Sequence, residues 1–248
     1  MHARLFIPTA LRTLALLLLA LALPAHAATW LWAWDRAEDL RGLPPGVGVA
    51  YFAVQFDARD DAFVATWRRP PLHVDAATPL TAVLHVEAFR PGHAPALDDA
   101  AVARWSEALA NAARRTGAAR VQVDFEARAS QLDFYRRVLA GLRTRLAPRT
   151  FLSITALASW CGDFDAIATL PVDEIVPMYF RMGPRERALW RERSRQPERL
   201  PAACRHAAGL ALDEPRIASA PTVYLFAPKP WRPADFDPHV LPIQGETP

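Results

Sequence analysis

Short apolar runs recur along this chain, each followed by a polar or helix-like stretch, and that recurrence restricts the fold more than any other feature. The runs are "TWLWAWDR" (29–36), "GVGVAYFAVQF" (46–56), "LTAVLHVEAF" (80–89), "RVQVDFEA" (120–127), "TFLSITALASW" (150–160), "EIVPMYFRM" (174–182), "GLALDE" (209–214) and "TVYLFAPKPW" (222–231). Asp98-Asp99 cap an amphipathic helix that ends at Gly117, and a second helix runs from Ser130 to Pro148. Residues 163–171 read as a short helix, 61–74 as a small hairpin excursion, and 183–207 as a polar, Arg-rich stretch. Strands this apolar, alternating with helices, argue for a parallel sheet covered by helices. Eight units in roughly 220 residues fit an α/β fold of the (β/α)8 TIM-barrel type, complete or irregular, better than an open doubly wound sheet. The glycines of "PPGVGVAYF" precede a strand rather than follow one, which disfavours a phosphate or dinucleotide cradle.

The barrel is expected to span 28–248 as a single domain. Residues 1–27 read as a secretory signal peptide: Arg4 and Arg12 form a basic start, Leu14 to Leu23 an apolar run, and Ala25-His26-Ala27 a small-x-small cleavage site. The run is short against the ~20 residues of a spanning helix. The expectation is a periplasmic or secreted protein without a stable membrane span after cleavage. Without the leader the chain carries 27 basic against 26 acidic residues, so nothing marks a nucleic-acid partner. Export also sets the reading of Cys161 and Cys204, for which a disulfide is the default in an oxidising compartment.

In a barrel, the carboxyl ends of the strands meet at one mouth, where active sites sit. This gathers Trp34, Asp35, His85, Glu87, Gln122, Asp124, Glu126, Thr155, Trp160, Met178, Tyr179, Arg181, Asp213, Glu214, Tyr224 and Trp231. Carboxylates with Tyr and Trp suit a sugar: acids protonate a glycosidic oxygen, and aromatic rings stack on the apolar face of a pyranose. The strongest signal is "VQVDFEA", where strand alternation puts Gln122, Asp124 and Glu126 on one face. Carboxylates two apart on a strand, about 6.5–7 Å at their Cβ atoms, cannot both ionise freely, so one pKa rises and that acid can donate a proton near neutral pH. Glu126, nearer the mouth, is the expected general acid, and Asp124 its partner, orienting substrate or sharing the proton. A salt bridge from Asp124 to Arg120, Arg128 or Arg181 is the plainer alternative. His85 and Glu87 share a strand face and could hold a metal, but H-E-x-x-H, H-x-H and C-x-x-C are absent, so no metal and no cofactor are expected. Ser153 and Ser159 lack a nucleophile elbow.

The segment "VQVDFEA" resembles the fourth strand of family 18 (chitinase-like) glycoside hydrolases, with its pattern D-x-x-D-x-D-x-E. Glu126 matches the acid and Asp124 the Asp two before it; Gln122 and Ala119 stand where the other two Asp residues would be. The resemblance implies that Asp124 would position an N-acetyl group that itself attacks the anomeric carbon. Over the whole chain, "LWAWDRAEDL", "VQVDFEARASQLDFYRRVLAGLR", "LSITALASWC", "VPMYFRMG", "GLALDEP" and "VYLFAPKPW" resemble a bacterial exported family, the domain of unknown function numbered 3142. That likeness implies a barrel related to glycoside hydrolases.

The expected function is therefore a glycoside-hydrolase-like barrel acting on a polysaccharide or cell-envelope glycan. Trp34, Asp35, Glu87, Gln122, Tyr179, Arg181, Asp213 and Trp231 are the expected substrate-binding residues. The alternative is a non-catalytic glycan-binding or envelope-assembly protein on the same scaffold. Oligomeric state is not written in the sequence.

Overall fold

A computed structural model describes residues 29–59, 62–87, 97–162, 167 and 169–236. The leader, and most of the short helix expected over 163–171, lie outside the described residues.

Eight parallel strands close into a barrel. In chain order the strands are β1 (Thr29–Ala33), β2 (Glu38–Leu40), β3 (Val47–Arg59), β4 (Ala62–Trp67), β5 (Leu72–Val74), β6 (Leu80–Glu87), β7 (Arg120–Asp124), β8 (Phe151–Leu157), β9 (Glu174–Met178), β10 (Ala207–Ala211) and β11 (Thr222–Phe226). The hydrogen-bonded order is β1-β11-β10-β9-β8-β7-β6-β3, and β1 also pairs with β3, which closes the ring. An open sheet would leave β1 with one neighbour. The excursion after β3 becomes β4, antiparallel to β3, and β5, which pairs with β2 in a separate two-stranded sheet.

Alternation sorts the side chains. Leu31, Ala33, Val121, Val123, Leu152 and Ile154 point outward into the main core. Trp30, Trp32, Val83, Val176, Met178 and Tyr224 fill the barrel interior. At the amino-terminal end, Trp30 stacks on Tyr224 with 5.9 Å between ring centroids, and the Tyr224 hydroxyl donates to Glu174 Oε1 at 2.7 Å. Trp30 has room only because residue 48 is glycine: a Cβ there would stand 2.6 Å from the indole.

Three α-helices appear among the described residues: α1 (Asp99–Thr116), α2 (Leu132–Arg143) and α3 (Pro184–Arg193). The Asp98 side chain accepts from Ala101 N at 2.7 Å, and Gly117 closes α1 with φ 65°. α1 and α2 meet where Gly141 lets Ser106 approach, and Ser106 Oγ donates to Val138 O at 3.0 Å. α3, rich in arginine, buries only Trp190. Between β10 and β11 the described residues hold no α-helix, so the barrel is irregular there. Trp231, Ile217 and Phe236 cover part of its outer face instead. A disulfide joins Cys161, just past β8, to Cys204, just before β10, with 6.1 Å between Cα atoms.

Candidate functional site

The site is built from two rows of inward side chains at the carboxyl ends of β3, β6, β7 and β8. Register sets the lower row: Gln55 pairs with His85, and His85 with Asp124. The same alternation brings in Thr155 from β8. His85 Nδ1–H donates to Asp124 Oδ2 at 2.8 Å, and Thr155 Oγ1 donates to Asp124 Oδ1 at 2.6 Å. Asp124 is 4% exposed, so both carboxylate oxygens are claimed by the protein, away from solvent. Burial alone would push the His85 imidazole down, but the Asp124 hydrogen bond and charge, with Glu87 and Glu126, raise it above its ordinary value. Below Asp124, Gln122 donates to Ser153 at 3.2 Å, and its Oε1 has no hydrogen-bond partner among the described residues.

The upper row is carboxylates. Asp57 on β3 pairs in register with Glu87 on β6 and accepts from Gln55 Nε2 at 3.1 Å. Glu126 follows on the β7 side. It is not part of the strand, which ends at Asp124; it sits at the apex of a tight turn closed by Ala127 N–H to Phe125 O at 2.8 Å. The turn swings Glu126 to the rim, open to solvent, while Phe125 and Ala127 on either side are buried. The protein packed around the rim still pushes the Glu126 carboxyl up through desolvation, and the charges of Asp124 and Glu87 add to that against the opposing pull of His85. Among the described residues no hydrogen bond or ion pair holds the Glu126 side chain.

Aromatic rings complete the mouth. Trp34, half-buried, lies 5.5 Å from the His85 ring and 5.3 Å from Phe52. Phe226 meets Trp34 edge-on at 6.1 Å and stacks flat on Phe180 at 5.6 Å. Beside them a cleft of about 300 Å³ is lined by Glu126, Leu157, Ser159, Met178, Phe180 and Arg181. A cavity of about 390 Å³ opens at the opposite end, around Trp30, Arg120, Glu174 and His206. There Arg120 lies over the Trp30 and Phe151 rings and 3.6 Å from Glu174, a packed plug far from the mouth.

Trp34, Glu87, Asp124 and Glu126 thus lie at one mouth, Asp124 and Glu87 on their strands and Glu126 by the turn that follows β7. Other candidates do not join them. Tyr179 follows β9 on the outward face, 3% exposed against Trp190, and burial pushes its phenol up to about 12. Trp231 is buried in the outer core, its indole N–H on Trp32 O and its backbone N–H on Glu38. Gln122 is fully buried under Asp124 rather than at the surface of the site. Arg181, with φ 57°, does line the cleft beside Glu126, but it pairs with Asp213 at 2.9 Å and Glu214 at 3.0 Å, not with Asp124 or Glu126; Asp213 and Glu214 lie past the end of β10, in a turn. Asp35 is exposed beyond β1. Trp160 and Tyr224 pack away from the mouth, against Tyr135 and Trp30 respectively.

Sequence reading missed Asp57, because the strand was expected to stop at Phe56, and Gln55, which lay inside the expected strand but was not counted among the site residues. The alternation of Val54, Phe56 and Ala58 with Gln55 and Asp57 carried the signal. Among the described residues no group of three or more His, Cys, Asp or Glu side chains is arranged to hold a metal ion.

No family model matches the chain, so the likeness to the domain numbered 3142 is not carried further. No curated protein matches it in sequence either. Solved structures do share the fold. A Streptomyces coelicolor protein assigned as chitinase A superposes with a TM-score of 0.51 at 11% identity, over 81% of this chain and 80% of that one. A family GH18 chitinase from Chromobacterium violaceum gives 0.53 at 12% identity, over 80% and 68%. At such identities the likeness is one of architecture: this chain has the barrel fold found in those chitinases.

Proposed function

We propose that the protein is an exported glycoside hydrolase acting on a polysaccharide or cell-envelope glycan, with Glu126 as proton donor and Asp124 as its electrostatic partner. The observation that carries this reading is a carboxyl with a raised pKa, without a hydrogen bond or ion pair among the described residues, at the rim of an aromatic-lined mouth. A carboxyl whose pKa is raised keeps its proton to higher pH than an ordinary glutamate, which is what a glycosidic oxygen needs as it leaves. Asp124 contributes negative charge that favours the protonated form of Glu126, while His85 and Thr155 hold it in place. Trp34, Phe226 and Phe180 offer apolar faces for a pyranose ring.

The second reading, a glycan-binding protein without turnover, is favoured by the burial of Asp124 and by Ala119 and Gln122 standing where the hydrolase pattern has acids. Binding to a glycan array and release of reducing sugar, measured with wild type and Glu126→Gln side by side, separate the two. The hydrolase reading expects Glu126→Gln to bind normally and to lose about 10²–10⁴-fold in turnover. Wild type that binds glycans and cleaves none would refute it. Export is tested by the N-terminus of the protein recovered from its native host, expected near Ala28.

A further inference from the structure

We infer a second binding site, at the amino-terminal end of the barrel, that takes a free α-amino acid with a hydrocarbon side chain. It stands independently of the reading of the mouth.

Register brings its aromatic and charged groups together. Trp30 pairs with Tyr224 across β1 and β11, and both side chains point into the barrel. Arg120 opens β7 and shares the inward face of Gln122 and Asp124. Its guanidinium lies over the Phe151 ring at 3.7 Å and the Trp30 ring at 4.9 Å, which fixes the plane of the fork. Its N–H donors are not all used. Nε reaches Thr81 Oγ1 at 3.4 Å, and Nη2 stands 3.6 Å from Glu174 Oε1, beyond hydrogen-bond range. The two side chains are only 18% and 9% exposed, where an ion pair gains most from closing to direct contact. This pair stays splayed. Glu174 Oε1 takes the Tyr224 hydroxyl at 2.7 Å, and burial raises the Glu174 carboxyl above its ordinary value.

The splayed pair borders a cavity of about 390 Å³, walled on its apolar side by Leu170, Val172 and Ile175. Small-molecule sites are cavities of this kind, about 300–1,000 Å³ with apolar walls and a few fixed polar groups. Trp30 marks it a second time. The ring lines the cavity and is 2% exposed, yet its indole N–H has no hydrogen-bond partner among the described residues. It cannot turn to find one, being stacked on Tyr224 with its benzo edge against Gly48, so that the N–H edge faces away from β3. A buried donor in that state calls for an acceptor. The unmet chemistry is an acceptor for Trp30 and Arg120 and a donor for the second oxygen of Glu174, side by side, with apolar surface next to them. A lone carboxylate would face the Glu174 charge, and a lone amine would face Arg120. An α-amino acid meets both: its carboxylate on Arg120 and Trp30, its ammonium on Glu174, its side chain on Leu170, Val172 and Ile175. Having no net charge, it adds none to the buried pair. The end of a peptide lacks one of the two charges, and a neutral sugar lacks both.

The test titrates the chain without its leader, carrying nitrogen-15 in its indoles, with four probes: L-leucine, D-leucine, 4-methylpentanoate, which lacks the amine, and 3-methylbutylamine, which lacks the carboxylate. Calorimetry gives the affinities, and the indole N–H resonance that disappears in Trp30→Phe reports the place. At least one leucine enantiomer is expected to bind and to shift the Trp30 resonance, with each half-ligand at least about 10-fold weaker. Arg120→Leu and Glu174→Gln should each weaken leucine by about 10-fold or more. Val172→Trp, which fills the cavity from a half-buried position and leaves the charged pair in place, should abolish binding. Where a variant loses the circular dichroism of the wild-type fold, the Trp30 shift in wild type decides. Neither enantiomer binding below about 10 mM overturns the inference. So does a half-ligand that binds as tightly as leucine, a shift confined to other indoles, or binding that a folded Val172→Trp leaves intact.

Discussion

Replacing His85 with leucine removes the cation from a buried carboxylate, and its cost follows from the surroundings of Asp124. The Asp124 side chain is only 6% exposed and has two partners, the His85 ring and the Thr155 hydroxyl. Water cannot replace the lost imidazole, so His85→Leu should destabilise by about 3–5 kcal/mol, the range for a buried pair broken on one side. Thr155→Val removes one hydrogen bond to a charged group and should cost less, about 1.5–3 kcal/mol. The pH dependence has a definite sign. His85 is raised in the folded state, so its contribution is complete below the unfolded value of about 6.5 and is lost as pH rises through the folded pKa. Urea unfolding followed by tryptophan fluorescence, at about pH 6 and about pH 9, reads both effects. Wild type should lose stability relative to His85→Leu between the two, because above its pKa the ring donates only a neutral hydrogen bond. A His85→Leu penalty under about 1 kcal/mol at pH 6 would refute the buried-pair reasoning. A penalty that does not shrink with pH would refute the assignment of an imidazolium.

Other perturbations test the remaining features. If Glu126 is the proton donor, its raised pKa places the alkaline limb of kcat/KM above the ordinary glutamate range, and His85→Gln, by removing an opposing positive charge, should move that limb upward; a limb that stays fixed argues against the coupling. Cys161→Ser with Cys204→Ser opens a loop with a sequence separation of 43 and should cost about 4 kcal/mol, or roughly 10 °C in Tm, measured calorimetrically against wild type. Gly48→Ala drives a methyl into the Trp30 indole and should cost about 1–3 kcal/mol, largely recovered in the Trp30→Leu background. Independent losses in that last pair would mean the contact is not the cause.

The barrel was legible because its outward rows are so apolar: all eight barrel strands fall where runs such as "AVLHV" and "FLSITAL" lie. What alternation could not supply was where each strand stops. Tyr179 and Trp231 were read as rim residues because their strands were drawn too long; β9 ends at Met178 and β11 at Phe226, and both rings fold back into the outer core. Glu126 reaches the rim by a turn rather than by pleat. Arg181 could have paired with any nearby acid, and only the tertiary arrangement brings Asp213 and Glu214 to it across more than thirty residues. The role of His85 depended on which strand lies next to β6, a property of sheet order rather than of local sequence.

A closed barrel has no free edge, yet β4 restores one. It hangs from β3 as the terminal strand of the sheet, and its outer side has no partner strand among the described residues. Its sequence, "AFVATW", is uncharged and of high strand propensity, and Val64 is 49% exposed. Such an edge invites another chain to add a strand. The residues that follow, Arg68-Arg69-Pro70-Pro71, set charge and proline directly beside it, as sequences do that must keep an exposed strand from propagating. Arg68 is also tied to the backbone oxygens of Trp34 and Arg36 at the end of β1, so the guard against self-assembly is anchored to the rim of the candidate site.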